Sequence, residues 1–561
     1  MIIEVLNEVL SNILKKLNYN TDAKVIKSNR PDLCDYQYDG VFKLAATYHK
    51  SPIEIGEEIV HEMNNLEDFN KYFKECSFAR PGFINIIISD ELINTFIKKI
   101  NNEENLGMKK VENPKNYFLD YGGPNIAKPL HVGHMRTAIV GESIKRIIKF
   151  MGHNVVADVH FGDYGLQIGQ VIYGLKQEGI GVENITLEKL EEIYPKMSAL
   201  CKEDESVKEI CAKITKDLQD GAYNDYFKKI CEISSNDIKR LYKYLDVDFD
   251  LWYGESDSYP YIPALEKMFN EKNLLEPSEG ALIVDVNEGY DKEIPPLIFK
   301  KNNGAYLYST TDLATIYQRM EDYNPDYILY VVDNRQSLHF EQVFRACKRS
   351  GLTGNTKLEF LGYGTVNGSD GKPYKTRSGN TPKLDGLFKE VKEIFISKKE
   401  SNKDMLESDL DKIVNSILKF ADLQNNREKD YIFDIAKFSE VVGKTGPYIL
   451  YTYLRINKIV ENEIVTEIDN TIYNEFDRDL RKKLIEFDIE VKKAFESRLP
   501  SVIAEYIYDL CVIINAFYQN NHINGLEDQN KKNSWVYILK LSNKILKQML
   551  DLLIIDVPTI M

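Results

Sequence analysis

Two of the chain's eight histidines, His131 and His134, stand three residues apart, with Gly133 between them and Lys128 three residues ahead. They close the stretch DYGGPNIAKPLHVGH, residues 120–134. Imidazoles at that spacing could chelate a metal, cap a helix or donate hydrogen bonds to a nucleotide phosphate. No nearby acid or cysteine completes a metal set, and histidine is a poorer cap than Ser, Thr, Asp or Asn. Gly133, lacking a Cβ, lets a flat ring or a phosphate come close to the backbone.

The flanking elements decide where these groups point. NYFLDYG, from Asn116, reads as a buried strand, and GGPNIAKPL can only be a loop, because Gly-Gly and two prolines break regular structure. HVGHMRTAIVGESIKRIIKF is then a helix, with apolar positions at Ile139, Ile144 and Ile147 or Ile148. Both histidines therefore fall at a helix N-terminus, just past the carboxyl end of a strand. Open α/β sheets bind ligands there, and the free amides and helix dipole favour phosphate.

Three regions read differently along the chain. Residues 1–112 begin with a helix and end in ARPGFINIIIS and an amphipathic helix from Asp90, which predicts a small N-terminal α+β domain. Over 113–400 the apolar segments NYFLDYG, HNVVADVHFGD, PPLIFKK, AYLYSTT, DYILYVVD and KLEFLGYGTV alternate with helices, which predicts a parallel sheet covered on both faces. A charged, helical insertion from about 172 to 290 interrupts this region and shows no catalytic constellation of its own. Residues 401–561 carry helical periodicity throughout, which predicts an all-α domain.

Composition limits the function classes. Of 561 residues 43% are hydrophobic and 28% charged, as in soluble multidomain proteins. MIIEVLNEVLSNILKKLNYN alternates apolar and polar residues and lacks the run of a signal peptide or membrane span, so no membrane partner is expected. Seven scattered cysteines without a CxxC pair fit a reduced, cytoplasmic location and no structural metal. The net charge of −15 argues against general nucleic-acid binding but leaves room for local basic patches. One such stretch, Gln529–Leu550, has five lysines and no acid, with Lys540, Lys544 and Lys547 on one face; it is either such a patch or a solvated amphipathic helix.

DYGGPNIAKPLHVGHMRTAIVGESIKRIIKFMGHNVVADVHFGDYGLQIG resembles, nearly residue for residue, the corresponding stretch of arginyl-tRNA synthetases, and HVGH resembles the HIGH signature of class I aminoacyl-tRNA synthetases. The resemblance implies an α/β multidomain protein with a Rossmann-type catalytic domain. It also implies ATP-dependent attachment of L-arginine to tRNA(Arg) through an arginyl-adenylate, releasing AMP and pyrophosphate. ATP would arrive with Mg²⁺, and no protein-bound metal is implied. His131, Gly133 and His134 would meet the ATP phosphates, with donors placed where charge develops. The second family signature, KMSKS, is degenerate here: GYGTVNGSDGKPYKTRSGNTPKL offers Lys372, Lys375, Arg377 and Lys383, and its second lysine has no counterpart. The resemblance gives that charge to Lys128, with Lys375 and Arg377 closing over ATP.

The same resemblance assigns arginine binding to Asp120, Asn125, Tyr308, Asp312 and Gln336, with His160 and Gln167 at the rim. Asp312 would take the guanidinium, because a carboxylate matches its planar fork; taken alone, Asp312 reads as a helix N-cap. There are departures: DYGG replaces the family's commoner Glu-Phe-Ser-Ser, and Thr311 stands where an arginine is usual. At the flanks, DYQYDGVFKLA and ARPGFINI resemble the family's tRNA-elbow domain, and GKTGPYILYTYLRINKI opens its anticodon-binding domain. Tyr448, Tyr451, Arg455 and Met561 are the candidate tRNA contacts there, set against the bland alternative that aromatics at helical spacing form core. A monomer is expected, with arginine activation dependent on tRNA. Small nucleotidyltransferases share HxGH but lack PNIAKP and the long helical C-terminus. A non-catalytic paralogue would be expected to have lost Lys128, His131 or His134.

Overall fold

The computed structural model describes residues 1–219, 221–289, 294–302, 304–374, 383–398, 405–465, 471–523 and 525–561. The chain divides into two compact units: Met1–Lys110 with Ile449–Glu496 and Glu505–Met549, and Val111–Tyr448 with Ser497–Ala504 and Leu550–Met561.

In the second unit four strands form a parallel sheet: β1 (Asn116–Asp120), β2 (Asn154–Asp158), β3 (Tyr327–Tyr330) and β4 (Lys357–Phe360), in the order β4-β3-β1-β2. The two central strands are buried on both faces, which is why NYFLD and YILY read as near-continuous apolar runs. Register aligns Asp158, Asp120, Tyr330 and Phe360 in one row at the carboxyl edge. The chain lays β2 on one side of β1 and β3 on the other, so a switch point opens between β1 and β3.

Helix α1 (Val132–Phe150) follows β1, α2 (Tyr308–Asp322) precedes β3, and α3 (Ser337–Ser350) joins β3 to β4. Thr137 of α1 ties the switch point together. Its hydroxyl donates to the Val331 carbonyl at 2.7 Å and accepts from the Gly122 amide at 3.2 Å. Gly141 lets Tyr121 lie against α1, since a Cβ there would stand 2.2 Å from the tyrosine ring. The insertion supplies the helices Leu187–Glu203, Glu205–Gln219, Asn224–Tyr244 and Ile262–Glu271.

Two expected strands of the parallel sheet are not in it. Leu297–Lys300 pairs antiparallel with Ala281–Val284, in a separate three-stranded sheet. AYLYSTT is no strand: Tyr306 makes a single bridge to Lys300, and α2 begins at Tyr308 after an extended Leu307. In the C-terminal region, expected to be wholly helical, Tyr431–Ile432 pairs parallel with Val366–Asn367.

The first unit holds a four-stranded antiparallel sheet whose strands lie side by side in the order Val25–Lys27, Tyr36–Tyr38, Phe83–Ile88, Phe73–Ala79, with helices Ile2–Lys16 and Asp90–Asn102. C-terminal helices pack with it through Arg481, a fully buried guanidinium bonded to Asp477 (2.6 Å), Asn94 (2.5 Å) and the Ser534 hydroxyl (2.7 Å). Pro500–Asn520 is long and apolar enough to cross a membrane, yet Ile507, Leu510, Cys511, Ile514 and Phe517 of it are core residues. On Gln529–Leu552, Trp535 and Tyr537 are buried, Lys540 donates to the Glu463 carbonyl and Lys544 to that of Asn101 (2.9 Å). Two of its three face-sharing lysines thus serve as structural donors.

Candidate active site

A cavity of about 550 Å³ opens at the switch point. Its walls bring together Asp120, Asn125, His131, Gly133, His134, His160, Tyr308, Asp312 and Gln336, gathered from four separate stretches of chain.

The two histidines cap α1 reciprocally. His131 Nδ1 accepts from the Gly133 amide at 3.1 Å, and His134 Nδ1 accepts from the His131 amide at 3.2 Å. Capping, disfavoured from residue type, is therefore part of what this pair does. The rings lie 4.0 Å apart, and a Cβ on Gly133 would stand 3.0 Å from the His131 ring. A nitrogen that accepts carries no proton, so each neutral ring bears its hydrogen on Nε2, away from the helix. Burial lowers the His131 pKa, with Lys128 and Arg335 adding to the effect. Burial, then His131 and Lys128, push His134 down to about 3. Both are neutral donors at pH 7, set at the positive end of a helix.

Asp120 lines the cavity with one carboxylate oxygen held in an ion pair. Arg319, fully buried on α2, places Nη2 2.6 Å from Asp120 and 3.1 Å from Asp158, while Nη1 donates to the Tyr330 hydroxyl at 3.0 Å. Burial raises the Asp120 pKa against the pull of Arg319 and His160. His160, in left-handed backbone at φ 45°, stands 3.6 Å from Asp158, and among the described residues both of its buried ring nitrogens lack a partner at hydrogen-bond distance. Burial opposes its charge, but Asp158 and Asp120 outweigh this and lift it to about 9. A buried imidazolium with unfilled donors faces the cavity.

Asp312 lies one turn inside α2, whose N-cap is Leu307, so it is not a cap. His339 of α3 meets it, Nε2 to Oδ2, at 2.5 Å, and Asp312 holds the His339 pKa up despite burial. Glu255 completes this end. Burial pushes it up to about 8, with Asp312 and Asp163 adding and His160 opposing. Its segment is fixed by Asp163, which accepts from the Ser256 amide at 2.9 Å and hydroxyl at 2.5 Å.

Glu255 belongs to the insertion, which therefore does contribute to the cavity. Residues 251–254 return to the sheet edge, where Leu251 bridges Asp158 and Gly254 bridges Phe161. Arg319, His339 and Glu255 were all missed from sequence, where no local pattern marks them. Two expected residues stand elsewhere. Gln167 turns to the Gly162 and Tyr164 carbonyls (3.4 and 3.1 Å) rather than lining the cavity. The Lys128 ammonium lies over the Tyr194 ring, 5.0 Å from its centroid. Lys375 and Arg377 fall outside the described residues. Of the tRNA candidates, Tyr451 is 46% exposed, Arg455 packs over the Tyr518 ring at 4.5 Å, Tyr448 is half-buried at the opening of Gly446–Val460, and Met561 is half-buried.

A parallel sheet with its crevice at the switch point, and a His-x-Gly-His helix start beside it, define the catalytic domain of a class I aminoacyl-tRNA synthetase. Family models agree along the chain: tRNA synthetases class I (R), catalytic domain, over 96–435; the arginyl tRNA synthetase N terminal domain over 2–88; and the DALR anticodon binding domain over 449–561. The arginine–tRNA ligase of Alkaliphilus oremlandii is 39% identical, covering 100% of this chain and 99% of the relative. That of Agathobacter rectalis is 39% identical over 96% and 95%. The crystal structure of the Plasmodium falciparum arginyl-tRNA synthetase superposes with a TM-score of 0.83 at 27% identity, covering 100% and 99%. The Thermus thermophilus arginyl-tRNA synthetase shares the fold at TM-score 0.82 and 20% identity, over 100% of both chains. The chain belongs to the arginyl-tRNA synthetase family, whose activity is the ATP-dependent attachment of arginine to tRNA.

Proposed function

We propose that this cavity activates arginine as arginyl-adenylate before transfer to tRNA(Arg). The observation that carries the reading is the make-up of the cavity wall, which joins neutral Nε2–H donors at a helix start with the carboxyl groups of Asp312 and Glu255. ATP enters as its Mg²⁺ complex, with its phosphates at His131, Gly133, His134 and Lys128. The arginine guanidinium meets Asp312 and Glu255 beside Tyr308, while Asn125, Gln336 and the His160 imidazolium hold its amino and carboxylate end. The carboxylate oxygen attacks the α-phosphorus, the bond to the β-phosphate oxygen breaks, and pyrophosphate leaves. A terminal ribose hydroxyl of tRNA then attacks the adenylate carbonyl and releases AMP. Catalysis rests on alignment and on donors placed where charge grows. Asp120 takes the role of an ion-paired floor rather than a ligand.

ATP–pyrophosphate exchange with each amino acid, with and without tRNA(Arg), tests the reading. Exchange with arginine alone is expected, and it should need tRNA. Exchange with another amino acid in its place would overturn the assignment. Lys128→Ala should abolish adenylate formation far more than it weakens tRNA binding, and near-normal exchange in that variant would remove Lys128 from the phosphate site.

A further inference from the structure

Helix Leu187–Glu203 of the insertion reaches both lysines that flank the histidine cap. Tyr194 underlies the Lys128 ammonium at 5.0 Å from the ring centroid, and Glu191 pairs with Lys383 at 2.6 Å. Three residues apart, Glu191 and Tyr194 share one helix face. Lys383 stands beside the cap: its backbone bridges His131, and the Leu384 amide donates to the Leu130 carbonyl at 2.9 Å. Among the described residues, Lys128 has no carboxylate within ion-pair distance and Lys383 has only Glu191. Lys128 is absent from the cavity walls although His131 and Gly133 line them.

We propose that Glu191 and Tyr194 are positioning residues that hold Lys383 and Lys128 off the ATP phosphates in the ligand-free enzyme, so that ATP must displace both contacts to bind. The proposal rests on the phosphate site assigned above and adds Lys383 to it, on the strength of its bridge to His131. A contact made in the free state and lost in the bound state weakens binding by its own strength. A lysine over a ring or an exposed ion pair changes such an equilibrium about two- to five-fold. The insertion thereby sets the ATP concentration at which the enzyme works, without touching the reacting atoms.

The test is arginine-dependent ATP–pyrophosphate exchange by the full chain with tRNA(Arg) present, varying ATP. Glu191→Gln and Tyr194→Leu should each lower the KM for ATP about two- to five-fold, with the KM for arginine unmoved. Tyr194→Phe, which keeps the ring face, should restore the wild-type KM. In a Lys383→Ala background Glu191→Gln should lose most of its effect. An ATP KM unchanged or raised in both single variants, or the same shift with Lys383 absent, overturns the proposal. Failure of the functional reading looks different, because the wild-type chain itself would then show no arginine-dependent exchange.

Discussion

Arg319 Nη2 lies 2.6 Å from Asp120 Oδ2, which makes the residue that ends β1 half of a buried ion pair. The same guanidinium reaches Asp158 at 3.1 Å and stacks over Phe118 and Tyr330, with centroids at 4.5 and 5.4 Å. Two carboxylates at adjacent strand ends would repel each other without it. Arg319→Ala leaves both buried and unpaired, and should cost about 3–5 kcal/mol of stability in this unit. Arg319→Lys should rescue only part, because an ammonium lacks the planar fork that reaches both acids. Thermal or urea unfolding measures this. Wild-type stability in Arg319→Ala would show that Asp120 needs no internal partner and is free to bind ligand.

The reciprocal cap gives His131 and His134 two separable roles. As caps, each should cost about 0.5–2 kcal/mol when replaced by Ala. As donors to the α-phosphate transition state, each should cost about 10²–10³ in kcat for pyrophosphate exchange. His134→Asn can accept from the His131 amide but cannot place Nε2–H, so stability should return while kcat stays low. The folded pKa values lie below the unfolded value, so the unfolded state binds more protons between them. Stability is then complete above about 6.5 and is lost as pH falls from there toward the lowered folded values. Rates that decline between pH 7 and 9 cannot come from this pair, since both rings are already neutral.

How far the sequence discloses this site depends on the range of each interaction. The strand ending at Asp120, the loop and the start of α1 are local signals, carried by an apolar run, Gly-Gly-Pro and helical spacing, and all are legible. AYLYSTT misleads because its aromatic and β-branched residues suit a strand, whereas its second half opens α2 and its threonines turn their hydroxyls to backbone carbonyls: Thr310 donates to that of Phe299 and Thr311 to that of Tyr308. Arg319 looks like an ordinary base in the last turn of α2 until β1 and β2 bring two acids beneath it. His339 acquires meaning only opposite Asp312, and Glu255 only once the insertion returns to the sheet edge. None of these three pairings has a spacing rule to give it away.

Glu255 should make arginine binding a proton-releasing event. Burial holds its carboxyl neutral up to about pH 8 in the free enzyme, with Asp312 and Asp163 reinforcing this and His160 opposing it. An entering guanidinium favours the ionised form. Calorimetry in buffers of different ionisation enthalpy should therefore find up to one proton released per arginine bound at pH 7. The KM for arginine should fall as pH rises from 7 toward 9. For stability the sign reverses: a carboxyl with a raised folded pKa contributes stability below its unfolded pKa of about 4.3 and loses it as pH climbs to about 8. Added arginine should offset that loss. Glu255→Gln should abolish the proton release, and release that persists undiminished in this variant would falsify the assignment.

Tyr451 is the tRNA candidate best suited to a clean test. It is 46% exposed on helix Gly446–Val460, so its removal creates no cavity. An exposed ring of this kind can stack on a splayed base, at about 1–3 kcal/mol per base. Tyr451→Ala should raise the KM for tRNA about five- to 150-fold, the same range expressed as a ratio. The KM for arginine and the unfolding temperature should not move. Arg455→Ala, by contrast, removes a guanidinium packed over Tyr518, so a stability loss should accompany any change in tRNA affinity. An unchanged KM for tRNA in a folded Tyr451→Ala variant would return Tyr451 to the ordinary exposed surface of its helix.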